Sequence, residues 1–498
     1  MNQQQKTSRY CRRVGFGCSP TQALPQDPVD WAQGQVERVP PIDLMERDGS
    51  RTPGTEKLPL LWKMDEVMTA FHQHQETERA SFAKSKGMGN REYEQWRRRE
   101  MHTYWQLEHW KEVQARTSTA RFGQQPVFEK LWHFWANHFM VAPGNQNNDT
   151  LVGPYQRMLR THMTGQFRDL LWNAVTHPGM LVYLDNNRNT GPNSIAAKRG
   201  WTKDSVNENL GRELLELFTL SPAAGYTQKD VEETTLILTG WRDKKPDKWH
   251  KPGEPLGTFF DFNHHEAGSQ TVLGKKYSAI FRPDGKLQDL VDDLAVHPAT
   301  AKHIAHKMCV YFIDDTPPAA AVAAVEQAFV ASKGHLPSVH KALLEQCWVH
   351  LEGTRKLGSP EAWLLQTLVY GDADLPATIP WEPDTRGIKT HHLLGDLGQE
   401  LPRCPQPNGW FIKSSDWISK ETLDRRARVA QHFARQWARD TGAAPAKRQA
   451  IRERIQTTLA RDFLPGQPDH QVVQTAWSER DLIKTLVLMH VSPSLLWS

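Results

Sequence analysis

Apolar positions recur at three- and four-residue spacing along most of the chain, the pattern of helices that bury one face. This spacing predicts helices over 155–162, 167–176, 205–220 and 228–239, and again over 287–295, 299–312, 319–332 and 338–347. Residues 60–121 read as long, heavily charged helices punctuated by Trp96, Trp105 and Trp110. Residues 128–139 differ in kind. Phe128, Leu131, Trp132, Phe134, Trp135 and Phe139 leave little polar surface on any side, and a helix apolar nearly all round is a buried one.

The pattern breaks in three places. Residues 48–59 and 372–386 are polar or Pro-rich and read as loops. Residues 244–285 carry Pro246, Pro252, Pro255 and several glycines, with short aromatic or β-branched runs at 258–262 and 271–273. They are expected to form a long ordered excursion holding a candidate small β-hairpin, not a domain linker. The stretch 421–463 is Arg-rich and helical, and the His177-Pro178 and His297-Pro298 steps are isolated echoes without a solenoid repeat. The predicted fold class is mostly α. Length alone would permit two to four domains, but the pattern favours one large multi-helix unit over 1–498 with its irregular excursion.

Composition narrows the function classes. Hydrophobic residues make up 38% and charged residues 24% of the 498, which is globular composition. A net charge of +4, from 61 basic and 57 acidic residues, lacks the one-sided excess of a nucleic-acid binder. The basic clusters Arg97-Arg98-Arg99 and Arg425-Arg426 lie among carboxylates and read as solvated helix faces. The 19 Trp interleave with charges at helical spacing, which points to core packing ahead of a sugar-binding platform. Cys11, Cys18, Cys309, Cys347 and Cys404 form no CxxC pair, so a zinc ribbon or thioredoxin-type motif is not expected. Reduced buried thiols and two disulfides plus a free thiol both remain open. Residues 1–20 lack the apolar run of a secretory signal, and no stretch of about 18 apolar residues exists to span a membrane. The sequence as written therefore reads as cytoplasmic. Gly-rich phosphate loops, GxSxG and HExxH are absent.

Candidate chemistry concentrates in Asn207-Glu208-Asn209-Leu210-Gly211-Arg212-Glu213-Leu214-Leu215-Glu216-Leu217. At about 100° per residue, Glu208, Asn209, Arg212, Glu213 and Glu216 share one arc, opposite the leucines. Glu208 and Arg212 stand four apart, the spacing of an intrahelical ion pair. Two readings follow: a solvated face, or the wall of a cleft whose carboxylates bind a divalent cation or transfer protons. The Glu-x-x-His step of di-iron bundles is missing. His138 is the second candidate, because an imidazole in so apolar a helix needs a hydrogen-bond partner. That partner is either a buried group of the core or the contents of a polar pocket. His133 is placed to pair with Glu129, one turn earlier. His264-His265-Glu266 sits in the excursion, where loop histidines reach into sites or simply face water. Asp185 reads as a turn or cap residue, and Asp230 as a first-turn acid.

In series, several segments resemble the domain of unknown function 1800 (DUF1800) family over nearly the whole chain. They are Arg13-Val14-Gly15-Phe16-Gly17, Phe134-Trp135-Ala136-Asn137-His138-Phe139, His177-Pro178-Gly179-Met180-Leu181-Val182-Tyr183-Leu184-Asp185-Asn186 and the Asn207-to-Leu217 stretch. Tyr226-Thr227-Gln228-Lys229-Asp230-Val231, Leu238-Thr239-Gly240-Trp241, His297-Pro298-Ala299-Thr300-Ala301 with Pro317-Pro318, and Asn408-Gly409-Trp410 follow in order. Ala136 stands where the family pattern has a second His, and His265-Glu266 where it has His-Asp. The resemblance implies frequent export and a co-encoded, sulfatase-like partner of the DUF1501 family. Two functions stay open. In one, the chain is an enzyme with a buried carboxylate/His cleft. Glu213, Glu216, His138 and Arg212 are its catalytic candidates, and Glu208, Glu213, His138 and His265 are candidate ligands of a divalent metal. In the other, it is a non-catalytic scaffold or assembly factor acting with that partner.

Overall fold

The computed structural model describes residues 1–42, 89, 92, 112–143, 151–203, 205–243, 257–278, 282–373, 390–443 and 445–498. The loop expected at 48–59, most of the charged helices expected at 60–121 with their three Trp and Arg97–Arg99, and most of the 372–386 loop lie outside them. The fold is mostly α, as the periodicity predicts. Helix α1 (Gln3–Val14) opens with a reciprocal cap between Asn2 and Gln5, and the short α2 (Pro28–Gln33) follows. The aromatic helix is α3 (Pro126–His138), with Pro126 in the first turn, where a missing N–H costs nothing. Next come α4 (Val152–His162), α5 (Phe167–Thr176), α6 (Pro178–Tyr183), α7 (Ile195–Lys198), α8 (Asn209–Glu216) and α9 (Gln228–Leu238).

Strand β1 (Trp241–Asp243) pairs antiparallel with β2 (Thr258–Phe260), and β3 (Gln270–Val272) with β4 (Lys275–Tyr277). The second pair is the hairpin expected within 244–285. It turns through Leu273 and Gly274, both at positive φ, the geometry that two-residue hairpin loops require. Helices resume with α10 (Gly285–Val296), α11 (Pro298–Phe312), α12 (Ala319–Ser332), α13 (Leu336–Val349), α14 (Pro360–Gly371) and α15 (Thr390–Asp396). The Arg-rich stretch is two helices, α16 (Lys420–Ala443) and α17 (Pro445–Asp462), followed by α18 (Pro468–Ser478), α19 (Leu482–Val491) and α20 (Pro493–Leu496). No helix among the described residues is long and apolar enough to cross a membrane.

One predicted element is shorter than its pattern. The helix expected over 205–220 forms only at Asn209–Glu216. Asn207 captures the N–H of Asn209 with its side chain at 2.9 Å, and its own N–H donates to Asn189 at 2.8 Å. Such local side-chain bonding competes with the helix and sets its start.

Among the described residues apolar burial gathers into two large clusters, beside a small one of Met140, Ala142 and Cys404. One runs from Tyr10 to Leu351 and includes the whole apolar face of α3; the other gathers Phe16, Val113 and Ala120 with Leu357 to Leu496. The end of α1 serves both. At that junction Lys130 Nζ donates to the carbonyls of Arg12, Arg13 and Gly15 at 2.9, 2.7 and 3.0 Å. A buried ammonium there satisfies the C-terminal carbonyls of α1 and meets the negative end of its dipole.

Candidate functional site

His138 closes the aromatic helix and is fully buried. Phe134 stacks on its ring, while Trp135, Phe139 and Phe218 meet it edge-on. Both nitrogens are engaged. Nε2 lies 3.3 Å from the Phe218 carbonyl and Nδ1 lies 3.1 Å from Lys307 Nζ. One neutral tautomer fits both contacts, with Nε2–H donating to the carbonyl and Nδ1 accepting from the lysine. Burial and the neighbouring Lys307 hold its pKa well below the usual histidine value. Burial also lowers Lys307, to about 8.

A second imidazole does the same work. His303 Nε2 donates to the Leu217 carbonyl at 3.2 Å, and burial lowers its pKa to about 4. His138 and His303 therefore satisfy consecutive carbonyls just beyond α8, where a helix end leaves acceptors unpaired. The imidazoles thus reach the backbone at the end of the acidic helix, while none of its carboxylates is bonded to either ring among the described residues. His303 and Lys307 escaped the sequence reading; their one signal is a four-residue spacing that places both on one face of α11.

On α8 the charged groups are nearly all matched. Arg212 bonds Glu208 at 3.0 Å, and Gln228 bridges the pair with contacts of 2.9 Å to each. Both Glu208 and Arg212 keep more than a third of their side-chain surface in water. Glu216 accepts from the Tyr226 hydroxyl at 2.9 Å. Glu213 differs: its carboxyl is half-buried and has no hydrogen-bond partner among the described residues. Burial, then the charge of Glu216, raises it to about 7 against the opposing pull of Arg212.

Tyr183 lies close enough to feel Glu213; burial, Cys404 and Glu213 push its hydroxyl up to about 12. Tyr183 also packs with Met140, Ala142, Cys404 and Trp410. The neighbouring loop is held by Asn137, which accepts from the Trp410 N–H at 2.7 Å and donates to its carbonyl at 2.9 Å. Gly409 is required there, at φ +81 with a Cβ that would stand 2.2 Å from the Asn137 carbonyl. Segments more than 270 residues apart in sequence thus meet at the end of α3.

His265 sits in a different setting. Its Nδ1 donates to the Thr239 carbonyl at 2.7 Å, its ring packs tilted against Phe260, and its buried Nε2 has no partner among the described residues. Burial, then Lys286, lowers it to about 4. Glu266 accepts from the backbone and side chain of Asn193 at 2.8 and 2.7 Å, pinning the excursion to the 191–193 loop. His264 pairs with Asp261 at 2.6 Å. Asp185 is a left-handed turn residue and Asp230 completes a reciprocal cap with Thr227, as their sequence settings predict. Among the described residues no three His, Cys, Asp or Glu side chains are grouped to hold a metal ion.

His133 does not pair with Glu129. Arg160 takes Glu129 in a buried ion pair, and His133 faces Glu361 at 3.5 Å, beside the bidentate Arg116–Glu361 bond. The arginine wins because two parallel charge-assisted bonds outweigh one to a neutral imidazole.

Two of the three comparisons with known proteins found nothing: no curated protein and no solved structure matches the chain. The third did. The sequence model of DUF1800, described as a protein of unknown function, matches residues 9–494.

Proposed function

The chain belongs to the DUF1800 family, a family of unknown function, and on that premise we propose that it is an enzyme using Glu213 to transfer a proton to or from a polar substrate. One observation carries the reading. On a helix whose other ionisable side chains are matched, Glu213 is half-buried and without a partner among the described residues, with a pKa of about 7. A carboxyl poised near neutral pH is the group general acid–base catalysis needs. Arg212 and the Tyr226–Glu216 pair flank it and supply a cation and a hydroxyl to orient polar groups of the substrate. His138 enters as a positioning residue, fixing the end of α8 through the Phe218 carbonyl.

The test begins with the titration of Glu213, read by 13C NMR of glutamate-labelled protein and assigned by its loss in Glu213→Gln. A midpoint near 7 is expected; a midpoint near the ordinary value of about 4.3 would sink the proposal. A substrate screen by mass spectrometry should then yield a turnover that Glu213→Gln slows by about 100-fold or more, with little change in KM. A divalent ion is the competing occupant of the same carboxyl. Stoichiometric metal binding that Glu213→Gln abolishes would replace proton transfer with metal coordination.

A further inference from the structure

A second concentration of charge involves none of the residues around Glu213. On α1, Gln5, Arg9 and Arg12 follow one another at four- and three-residue spacing and so share a face. That face lines a cleft of about 380 Å³ against the C-terminal segments. Arg355 joins it from a short backbone pairing, in which Lys356 and Ser498 exchange N–H to carbonyl bonds of 2.9 Å each. Leu464, Pro468, Pro493 and Trp497 supply the apolar part of the lining. Three guanidiniums thus meet an aliphatic and aromatic wall.

Two carboxylates also line the cleft, and both are committed. Asp462 is held by Arg12, Arg461 and the Tyr370 and Ser8 hydroxyls. Asp469 accepts the backbone N–H groups of Ser494 and His470 at 2.9 and 3.0 Å. Arg12 is matched by Asp462, which leaves Arg9 and Arg355. Arg9 donates to the Thr354 carbonyl at 2.6 Å, and Arg355 reaches Asp314 through its backbone N–H at 2.9 Å. Neither guanidinium forms an ion pair among the described residues. Glu352 acts on Arg9 at range, being paired with Lys6 at 3.6 Å and more than half in water.

Unused hydrogen-bond capacity coincides with this excess charge. Arg12 is buried, and the buried Nε of Arg9 and of Arg12 each lack a partner among the described residues. Burial, then the charges of Arg12 and Arg355, lowers Arg9 to about 10. Crowded like charges with unmade hydrogen bonds are relieved by an anion.

We propose that this cleft binds an organic phosphate monoester, its head on Arg9 and Arg355 and its apolar group against Trp497 and Leu464. The charge count selects the head. A phosphate dianion matches two uncompensated guanidiniums, whereas a monocarboxylate leaves one unmatched, and its oxygens accept from donors on several sides. The wall selects an ester over inorganic phosphate, because a ring buried there adds apolar contact. No bond forms or breaks, and the site is independent of Glu213.

The experiment is isothermal titration calorimetry of the full chain at low ionic strength, with phenyl phosphate as probe and inorganic phosphate and benzoate beside it. Phenyl phosphate should bind at one equivalent, about tenfold or more tighter than either of the others. Arg9→Met and Arg355→Met should each weaken it by about tenfold or more. Arg428→Met, which removes the same charge from a mostly exposed side chain on α16, should leave it unchanged. Phenyl phosphate binding no tighter than benzoate or inorganic phosphate overturns the proposal. So does an affinity that Arg355→Met leaves at the wild-type value, or that Arg428→Met lowers as much. Should Arg9→Met lose its native circular dichroism, Arg355→Met, at an exposed residue, decides alone.

Discussion

Glu213 and His138 stand at opposite ends of a simple rule: a buried polar group is either paired or shifted. His138 is paired on both sides, by a carbonyl and an ammonium, and its imidazole works as a structural clasp. Glu213 is unpaired among the described residues and shifted upward to about 7. The shift has a consequence for stability whose sign is fixed. The folded pKa lies above the unfolded carboxyl value, so the protonated form is favoured by folding. Its contribution is full below pH 4.5 and is lost as pH rises through about 7. Glutamine imitates the protonated group at every pH. Glu213→Gln should therefore be close to neutral at pH 5 and stabilising at pH 8. The gain should be about 1 kcal/mol, discounted because a half-exposed carboxylate keeps much of its solvation. Urea unfolding at the two pH values measures it, and an equal effect at both would show that Glu213 titrates as an ordinary carboxyl.

At the scale of elements, two helices start by the same device. In His177-Pro178 and His297-Pro298 the histidine is the N-cap and the proline follows in the first turn. The imidazole Nδ1 accepts from the N–H two residues on, Gly179 at 3.0 Å and Ala299 at 3.1 Å. The two caps share their backbone angles, near φ −66 and ψ 136. A protonated imidazole cannot accept, and burial holds His177 down at about 3. Its depressed pKa contributes stability that is full above about pH 6.5 and is lost as pH falls toward 3. His177→Ala should cost about 1 kcal/mol or more at pH 7.5, as a lost cap does. His177→Asn should recover much of that, because its amide oxygen reaches the same N–H, and should soften the acid limb. Denaturant curves across pH decide; equal losses in both variants would leave only side-chain volume as the cause. These caps also mark where sequence reading works. The helices at 167–176 and 319–332 end where the pattern ends, because their apolar stripes and flanking residues agree. The 205–220 pattern overran because Asn207 is polar at a position where hydrophobic periodicity says nothing. The two His-Pro steps looked like unrelated echoes because a cap is a matter of backbone angle, which spacing does not encode.

Across the whole molecule, what was legible is local and what was hidden is long-range. That His138 must have a partner follows from its apolar helix; that the partners are Phe218 and Lys307 follows only from packing, since they lie 80 and 169 residues away. The same holds for the junction between the two apolar clusters. There Asp462 takes Arg12 at 2.5 Å, Arg461 at 3.0 Å, the Tyr370 hydroxyl at 3.2 Å and the Ser8 hydroxyl, all on a carboxylate without solvent exposure. One anion thereby fastens α17 and α14 to α1, the helix whose end both clusters share. Removing its charge leaves two buried guanidiniums facing each other across a neutral amide. Breaking a buried pair in this way costs about 3–5 kcal/mol, far more than a surface pair. The loss should also be uneven. The first cluster keeps α3, α5 and α11 packed without Asp462, whereas the second loses its hold on α1. In hydrogen exchange at low denaturant, wild type should open α3 and α16 together, as one cooperative unit does. Asp462→Asn should release α16 and α19 first, with α3 still protected. If both regions lose protection at the same denaturant concentration in the variant as well, the clusters are joined by something other than this carboxylate.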